Sequence, residues 1–326
     1  MNVKNIVIML SVCFIILFLG CTQIEQKKET QEVNVCLSWI HEAQFAGLYW
    51  ADQKGYYAQE GLKVNFLPYN NTDLPQDLVD GKCDFAILQA DTLLLAREAG
   101  LPVKAIYTDY KQSPIGYFSK KSSNITKPED LIGKTVGADY SEVYALIAIL
   151  KNKGIDVNSV KIVQRDYTYD KLASGEFDVE AGWITDGNTL KEAVGDYNII
   201  YPTDYNVNFY ADVISTTDDK ISKQPELVSA FITATKEGWQ AAIENPDEAA
   251  LLTLSYQQEN EKSSSEHLKF VMSISSPFIH TGDSPLGYMD AVAFSNTQKI
   301  LLKQGILKDE QDTAQSFTNE FLAETP

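Results

Sequence analysis

Residues 33–66 read VNVCLSWIHEAQFAGLYWADQKGYYAQEGLKVNF, which is the pattern of a strand, a polar loop, a helix and a second strand. Val33, Val35 and Leu37 recur at every second position, as in a half-buried strand. Small and aromatic residues continue at helical spacing, and glycines lead into the second strand at 62–67. Such a unit predicts an open α/β sheet, in which small ligands bind beyond the carboxyl ends of the strands.

Four side chains that are able to contact a ligand follow the first predicted strand directly. They are Trp39, His41, Glu42 and Gln44. An aromatic ring stacks on a flat ligand, and the polar side chains form hydrogen bonds with it. His41 has an alternative role as a donor to a loop carbonyl, and the sequence leaves both roles open.

Strands and helices alternate along the chain, which predicts a parallel sheet covered by helices on both faces. The predicted strands are 84–88, 103–108, 135–138, 160–163, 179–183 and 209–216, and the predicted helices are 74–79, 92–99, 142–153, 226–244, 247–254, 265–273, 289–304 and 309–320. We expect a discontinuous first domain, 33–115 and 211–326, and an inserted second domain, 116–210. Two crossing strands would form the hinge between them.

The first 20 residues have the composition of an export signal. Lys4 precedes fifteen apolar or small residues, fewer than the roughly 20 that span a bilayer. Gly20-Cys21 resembles a bacterial lipobox, so we expect residues 1–20 to be removed and Cys21 to be lipidated. A soluble export signal is the alternative. Residues 21–32 are polar and would form a tether.

The charge and the cysteines exclude several classes of protein. The 326 residues carry a formal net charge of −18, which argues against nucleic acid as a partner. Once the export signal and the lipidated cysteine are set aside, Cys36 and Cys83 remain, and we expect buried free thiols, with a bridge between them as the alternative. The three histidines are far apart and match no zinc motif, so no metal site is expected.

The four loops expected to line the ligand cleft contain no arginine or lysine. They are 39–44, 89–92, 139–144 and 182–188. Sulfonates, phosphates and carboxylates are usually bound by arginine, so this composition favours a flat, neutral or weakly basic heterocycle such as an aminopyrimidine. Of the two arginines, Arg97 is expected at a helix surface, and Arg165 is able to approach the mouth of the cleft.

Aromatic and acidic side chains make up the candidate ligand site. The expected walls are Trp39, Tyr140 and Trp183, and the expected polar contacts are Glu42, Gln44, Asp91, Glu142 and Asp186. Tyr117, Tyr144 and Tyr210 are second choices near the hinge, and each tyrosine has a place in the core as its alternative. Asp91 and Asp139 precede helical segments, so each is alternatively a helix cap.

The chain resembles the substrate-binding proteins of ABC importers, and among them the ThiY-like group that binds pyrimidine precursors of thiamine. The matching motifs are Trp39, Gly47, Ala51, Gly55-Tyr56-Tyr57, Gly61-Leu62-Lys63-Val64, Asp84-Phe85-Ala86, Gly100-Leu101-Pro102-Val103, the segment DLIGKTVG at 130–137 and the segment SGEFD at 174–178. The resemblance implies a two-domain type II periplasmic-binding-protein fold, with two open sheets flanked by helices and a two-strand hinge.

The function that this resemblance implies is that of an extracytoplasmic lipoprotein. It would bind a thiamine pyrimidine precursor, of the formylaminopyrimidine or hydroxymethylpyrimidine type, and deliver it to an ABC permease. A riboflavin-like or other aromatic metabolite is the alternative, and a sulfonate or nitrate is less favoured. We expect a monomer without a cofactor, held by its lipid anchor at the outer face of the cell membrane.

Eukaryotic members of the same family synthesise the thiamine pyrimidine. They use a lysine that holds pyridoxal phosphate and a histidine that is consumed. This chain has Leu88 and Thr92 at those positions, and NVNFY at 206–210 replaces the family's cysteine-rich stretch. The resemblance therefore implies a receptor, with a pyrimidine synthase as the alternative from another class.

Overall fold

The structure is a computed structural model that describes residues 30–259, 262–282 and 284–322. The predicted signal peptide, the lipidation site Cys21 and residues 22–29 of the predicted tether lie outside the described residues. The chain from Gln31 onward forms one compact unit. No helix in the described part has the length and apolar character needed to span a bilayer.

The first sheet has five strands in the order β2-β1-β3-β10-β4. They are β1 (Gln31–Cys36), β2 (Leu62–Leu67), β3 (Phe85–Leu88), β4 (Val103–Thr108) and β10 (Val213–Thr217). β2 and β3 run parallel to β1, whereas β10 lies antiparallel between β3 and β4. The predicted tether extends to residue 32, so its last two residues belong to β1.

The second sheet has five strands in the order β7-β6-β8-β5-β9. They are β5 (Ile115–Lys120), β6 (Thr135–Gly137), β7 (Lys161–Val163), β8 (Val179–Trp183) and β9 (Tyr197–Ile200). β7 and β8 run parallel to β6, and β5 is antiparallel to β8 and β9. The predicted parallel pairing is confirmed among β1, β2 and β3 and among β6, β7 and β8, but β5 and β10 each enter a sheet directly from the other sheet and run antiparallel to their neighbours.

Two connections, residues 109–114 and 201–212, join the sheets. They are bonded to each other: the backbone N–H of Asp109 donates to the carbonyl of Asp212 at 2.8 Å, and that of Ser113 donates to Oδ1 of Asn208 at 3.0 Å. Two adjacent connections allow one sheet to rotate against the other with few φ/ψ changes.

Helices cover both faces of the sheets. They are α1 (Ala46–Gln53), α2 (Tyr56–Gln59), α3 (Leu74–Val79), α4 (Ala90–Glu98), α5 (Tyr140–Asn152), α6 (Asp170–Ser174), α7 (Gly187–Val194), α8 (Asp218–Lys223), α9 (Pro225–Glu244), α10 (Pro246–Leu252), α11 (Ser265–Ile279) and α12 (Ala291–Gln304). Most of the predicted helices are present. The helix predicted at 265–273 extends further, through Pro277, to Ile279.

Glycine allows the close packing of α1 against α9. A Cβ atom at Gly47 would lie 2.0 Å from the ring of Trp239, and one at Gly238 would lie 2.4 Å from the carbonyl oxygen of Gly47. Trp239 is fully buried. The residues of α1 at this contact are therefore small because α9 packs directly on them.

The prediction of a helix at 309–320 is wrong. Apart from a single 3₁₀ turn at Thr313–Gln315, this segment has no helix before a second turn begins at Glu320. Phe317 forms a bridge with Ala105 at the edge strand β4, and its ring stacks on Phe294 at 4.9 Å. In its extended form this segment pairs with the backbone groups at the edge of β4, which a helix would have left unpaired.

The expectation of free thiols is also wrong, because Cys36 and Cys83 form a disulfide. Cys36 ends β1, and β1 pairs with β3 so that Cys36 lies opposite Ala86. Cys83 immediately precedes β3, and its Cα lies 5.9 Å from that of Cys36, a usual separation for a disulfide. Strand pairing, which the sequence alone did not specify, brings the two residues together.

Candidate functional site

Loops that follow the parallel strands of the two sheets meet at one interface. Trp39 follows β1 and Tyr167 follows β7, and the centroids of their rings lie 5.8 Å apart. Asp91 follows β3 and Ser141 follows β6, and the hydroxyl of Ser141 donates a hydrogen bond to Oδ2 of Asp91. Side chains from both sheets therefore line a single site at the carboxyl ends of the strands.

Exposed aromatic rings line the mouth of this site. Trp39 is 40% exposed, Tyr140 is 71% exposed and Tyr167 is 44% exposed. Tyr140, Tyr167 and Tyr169 all have positive φ angles, of 36°, 63° and 60°. Such backbone conformations are costly for large side chains and concentrate at functional sites.

Arg165 lies beneath Tyr167 and is 7% exposed. Its Nε is 3.1 Å from Oε2 of Glu142, its Nη1 donates to the carbonyl of Ala181 at 2.7 Å, and its Cζ is 4.3 Å from the centroid of the Tyr167 ring. Burial acts to lower the pKa of the guanidinium, but acidic neighbours led by Glu142 outweigh it and raise the pKa overall. Arg165 is therefore a charged residue of the site, already paired.

Three carboxyl groups act on Arg165, of which Glu142 and Glu180 are buried and Asp186 is partly buried. Burial raises the pKa of Glu142 to about 7, although Arg165 opposes the shift. Burial also raises the pKa of Asp186, whose Oδ2 accepts a hydrogen bond from Tyr169. Glu180 is fully buried without a hydrogen-bond partner among the described residues, and burial raises its pKa to about 7. This side of the site is rich in hydrogen-bond acceptors.

Asp139 acts as a helix cap. Its Oδ1 accepts a hydrogen bond from the backbone N–H of Tyr140 at 2.9 Å, and its own backbone N–H donates to Oε2 of Glu142 at 3.0 Å. The reciprocal bonds form a capping box at the start of α5. The same bonds hold the Glu142 carboxylate in place.

Asp91 combines a local bond with a bond to the other sheet. Its Oδ1 accepts from the backbone N–H of Thr92 at 2.9 Å, and its Oδ2 accepts from Ser141. The side chain is 2% exposed, and burial raises its pKa. In this structure Asp91 therefore connects the two lobes.

The predicted residues of the β1 loop divide into two groups. Glu42 and His41 are partly exposed: Glu42 lies 3.2 Å from Nε2 of His267, and Nδ1 of His41 lies 2.9 Å from the hydroxyl of Tyr49. The hydrogen bond to Glu42 raises the pKa of His267. Gln44 is buried and donates to Oδ2 of Asp212 at 3.2 Å.

The structure places the second-choice tyrosines in or against the core. The hydroxyl of Tyr117 donates to the carbonyl of Glu142, and that of Tyr210 accepts from the backbone N–H of Asp290 at 2.7 Å. Tyr144 packs, half-buried, against the hydrophobic clusters of both sheets. Trp183 is half-buried, with its ring 5.7 Å from that of Tyr110 in the crossing connection.

Two grooves open in the described part of the chain, and neither is lined by Trp39 or Tyr167. One has a volume of about 600 Å³ and lies between α7 and the start of α11, and its lining residues include Asn188, Glu192, Ser264 and His267. The other has a volume of about 400 Å³ and lies beside Tyr140 at the carboxyl ends of β6 and β7. Both volumes fall in the range that accommodates small organic ligands. Within the described residues, no group of three or more His, Cys, Asp or Glu side chains is placed to hold a metal ion.

Sequence reasoning missed Tyr167, Tyr169 and His267. The loop at 164–169 follows β7, so the rule that ligands bind beyond the carboxyl ends of strands points to it as well. The strand predicted at 160–163 ends at Val163, as β7 does, but the loop that follows it was not included among the expected ligand loops. His267 starts a helix that follows no strand, and no local signal identifies it.

The fold defines a class, the two-lobed architecture of periplasmic binding proteins, and the predicted type II periplasmic-binding-protein fold is confirmed. The ligand-binding component of an ABC-type import system from Staphylococcus aureus superposes with a TM-score of 0.70, covering 90% of this chain and 98% of that one, at 12% sequence identity. At that identity the likeness concerns the fold alone.

The NMT1/THI5-like family model matches residues 42–249, and the chain belongs to that family. The riboflavin-binding protein RibY of Chloroflexus aurantiacus is 32% identical over 304 residues, which cover 90% of this chain and 86% of that protein. The formylaminopyrimidine-binding protein of Halalkalibacterium halodurans is 29% identical over 263 residues, which cover 77% of this chain and 79% of that protein.

Proposed function

We propose that the protein is the ligand receptor of an ABC-type importer and binds a flat nitrogen heterocycle between its two lobes. One observation carries the proposal: Trp39 and Tyr167, exposed rings from loops of different sheets, lie 5.8 Å apart at an interplanar angle of 46°. A planar ligand between two rings needs a separation of about 7 Å, twice the contact distance of about 3.5 Å, so it would enter as the lobes open and then stack on both rings. Trp39, Tyr140 and Trp183 stay the predicted walls, and Tyr167 joins them.

An aminopyrimidine of the thiamine type is the ligand that the site chemistry favours. Its amino group donates hydrogen bonds, and the carboxyl groups of Glu142 and Asp186 on one lobe and Glu42 on the other are acceptors at the interface. His41, Gln44 and Asp91 stay predicted contacts of the first lobe, and Tyr117, Tyr144 and Tyr210 stay predictions of lower rank. The relative from Halalkalibacterium halodurans, named for formylaminopyrimidine, supports this choice.

Riboflavin is the second candidate. The relative that supports it, RibY, matches more of this chain, and at higher identity, than the formylaminopyrimidine-binding protein does. The isoalloxazine ring is also flat and contains a fused pyrimidine, so the same aromatic walls suit it. A sulfonate or nitrate is disfavoured, because the one arginine at the site is already paired with Glu142 at 3.1 Å.

We infer that the protein is a receptor and carries out no reaction. Leu88 and Thr92 stand where the family's synthases have a lysine and a histidine, and neither Leu nor Thr is able to form a Schiff base with pyridoxal phosphate. Binding would instead close the lobes, 33–115 with 211–326 against 116–210, by rotation about the crossing connections.

The same proposal places the protein outside the cytoplasm, anchored by a lipid on Cys21 and delivering ligand to permease subunits as a monomer. The disulfide between Cys36 and Cys83 supports an oxidising compartment. Replacement of Cys21 by alanine should move the protein from the membrane fraction to the medium or periplasm. Retention of the variant in the membrane would contradict the anchor.

Calorimetry with the purified full chain tests the ligand. Hydroxymethylpyrimidine, formylaminopyrimidine, riboflavin and an alkanesulfonate are titrated separately, and thermal unfolding is followed in parallel. A ligand at about 100 times its Kd should stabilise the fold by roughly 2.7 kcal/mol. Binding of an aminopyrimidine supports the first candidate, binding of riboflavin alone supports the second, and binding of the sulfonate alone contradicts both.

A further inference from the structure

The charge of Arg165 is balanced by acidic groups rather than left available to a ligand. Its guanidinium lies 3.1 Å from Glu142, and Glu142, Asp186 and the hydroxyl of Tyr169 act electrostatically on it. The acids come from different elements: Glu142 belongs to α5, and Asp186 follows β8. Arg165 itself lies under Tyr167, one of the two rings that face each other across the site.

The position of the Glu142 carboxylate is fixed by its second role. Oε2 accepts the backbone N–H of Asp139 in the capping box and also faces Nε of Arg165. The side chain is 6% exposed. It therefore cannot turn away from the guanidinium without breaking the cap of α5.

We propose that Glu142 is a specificity-determining residue, which neutralises Arg165 and thereby excludes anionic ligands from the aromatic site. The inference rests on the proposed function for the location of the site. A guanidinium without its partner, buried in a site of low dielectric, would attract a sulfonate or carboxylate strongly. Asp186 and Glu180 would still act on the guanidinium, but the carboxylate in direct contact with it would be gone.

Glutamine at position 142 tests the role of the charge. Glu142→Gln keeps the shape of the side chain and an oxygen that accepts the Asp139 N–H, because glutamine also serves at this position of a capping box. Asp204→Asn, an exposed acid of the same lobe, is the control with the same change in net charge. A double variant, Glu142→Gln with Arg165→Gln, identifies the guanidinium as the source of any new affinity.

The probes are benzenesulfonate and benzenesulfonamide, which have similar shapes and differ in charge. We expect Glu142→Gln to bind benzenesulfonate at least tenfold more tightly than the unmodified protein does, a difference of roughly 1.4 kcal/mol. The affinity of Glu142→Gln for benzenesulfonamide should change less than threefold. Asp204→Asn should gain no affinity for benzenesulfonate, and the double variant should lose the affinity that Glu142→Gln gained. Equal effects on both probes, or no gain by Glu142→Gln, would overturn the proposal.

The pH dependence of benzenesulfonate binding provides a second test. The groups that face Glu142 are Arg165, Asp139, Asp186 and the Tyr167 loop, and Glu180 also titrates near Arg165. Because the pKa of Glu142 is raised to about 7, the carboxyl group becomes neutral as the pH falls from 8 to 6. Benzenesulfonate affinity should rise at least threefold over that interval, and the rise should be smaller in Glu142→Gln.

Failure of this inference is distinguishable from failure of the proposed function. If the unmodified protein binds neither an aminopyrimidine nor riboflavin, yet Glu142→Gln gains benzenesulfonate, the function is wrong and the role of Glu142 stands. If Glu142→Gln fails to fold, the pH titration decides: a flat benzenesulfonate affinity between pH 8 and pH 6 overturns the proposal, a rise that persists in Glu180→Gln supports it, and a rise that Glu180→Gln abolishes overturns it.

Discussion

The ring of Trp39 lies 5.8 Å from the ring of Tyr167 at an interplanar angle of 46°. Trp39 belongs to the loop after β1 of the first sheet, and Tyr167 belongs to the loop after β7 of the second. The pair therefore reports directly on how the two sheets are placed, and any ligand held by both rings would couple binding to that placement.

Removal of the Tyr167 ring should weaken ligand binding. We expect Tyr167→Ala to raise the Kd of the cognate heterocycle at least tenfold, because one aromatic face is lost, while the melting temperature changes little. Tyr288→Ala, at a similarly exposed ring of 41%, is the control and should leave the Kd unchanged. Tyr167→Phe keeps the ring and loses the bond to Asp139, so its Kd should rise far less. Equal affinities for the alanine variant and the unmodified protein would remove Tyr167 from the site.

Loss of the disulfide should destabilise the first lobe. Cys36 and Cys83 are separated by 47 residues, and closing a loop of that size restricts the unfolded chain by about 4 kcal/mol in the entropic model. We expect the double variant Cys36→Ala with Cys83→Ala to lower the free energy of unfolding by about 2–4 kcal/mol in urea titrations. Reductant should give the same loss in the unmodified protein and none in the variant. Two alkylatable thiols in the oxidised native protein would contradict the bridge.

The free energy of unfolding should fall as the pH rises, because the carboxyl group of Asp212 is buried. Burial raises its pKa from 3.8 to about 7, against hydrogen bonds from Ser38 and Gln44 that favour the charged form. A carboxyl group with a raised folded pKa contributes full stability below its unfolded pKa and loses that stability as the pH rises through the folded value. Between pH 4 and pH 8 the loss from this group is about 4 kcal/mol at most.

Asp212→Asn isolates this contribution. Its stability should depend less steeply on pH between 4 and 8 than that of the unmodified protein, as measured by chemical denaturation at several pH values. Glu237→Gln, an exposed acid on α9, should reproduce the original slope. An unchanged slope in Asp212→Asn would assign the pH dependence to other buried acids, of which Asp109 also has a strongly raised pKa through burial.

The bond between Ser141 and Asp91 should stabilise the contact between the lobes. Ser141→Ala removes a donor from a carboxylate that is 2% exposed, and an unsatisfied buried acceptor costs about 1–3 kcal/mol. We expect a lower affinity for ligand and a larger radius of gyration in solution scattering. Ser222→Ala, at an exposed hydroxyl bonded only within α8, should change neither. A scattering curve identical to that of the unmodified protein would mean that other contacts hold the lobes together.

Local patterns were sufficient for most elements of the fold. The strand at 103–108 and the helix at 74–79 have the predicted bounds, because alternation, proline and aspartate act within a few residues. The segment at 309–320 has a helix-compatible composition, but pairing of Phe317 with Ala105 took precedence. The antiparallel placement of β5 and β10 likewise depends on the path between sheets, which periodicity does not encode.

In the candidate site, too, some contacts follow from the local sequence and others depend on the fold. Asp139 and Glu142 lie three residues apart, and their capping box follows from that spacing. The partner of Glu142 across the loops, Arg165, is 23 positions further along the chain (165 − 142), and only folding brings it to 3.1 Å. Tyr167 is a candidate because its ring contacts that of Trp39, and His267 is a candidate because its Nε2 lies 3.2 Å from the carboxylate of Glu42.

By itself the sequence determined the α/β class, the order of the elements and the aromatic, acidic character of the loops, since these follow from hydrophobic spacing and local composition. Tertiary structure alone decided that Cys36 meets Cys83, that Trp39 approaches Tyr167 and that Glu142 lies beside Arg165. The physical reason is that each of these contacts joins residues distant in the chain, whose proximity depends on strand pairing and on how the two sheets approach each other.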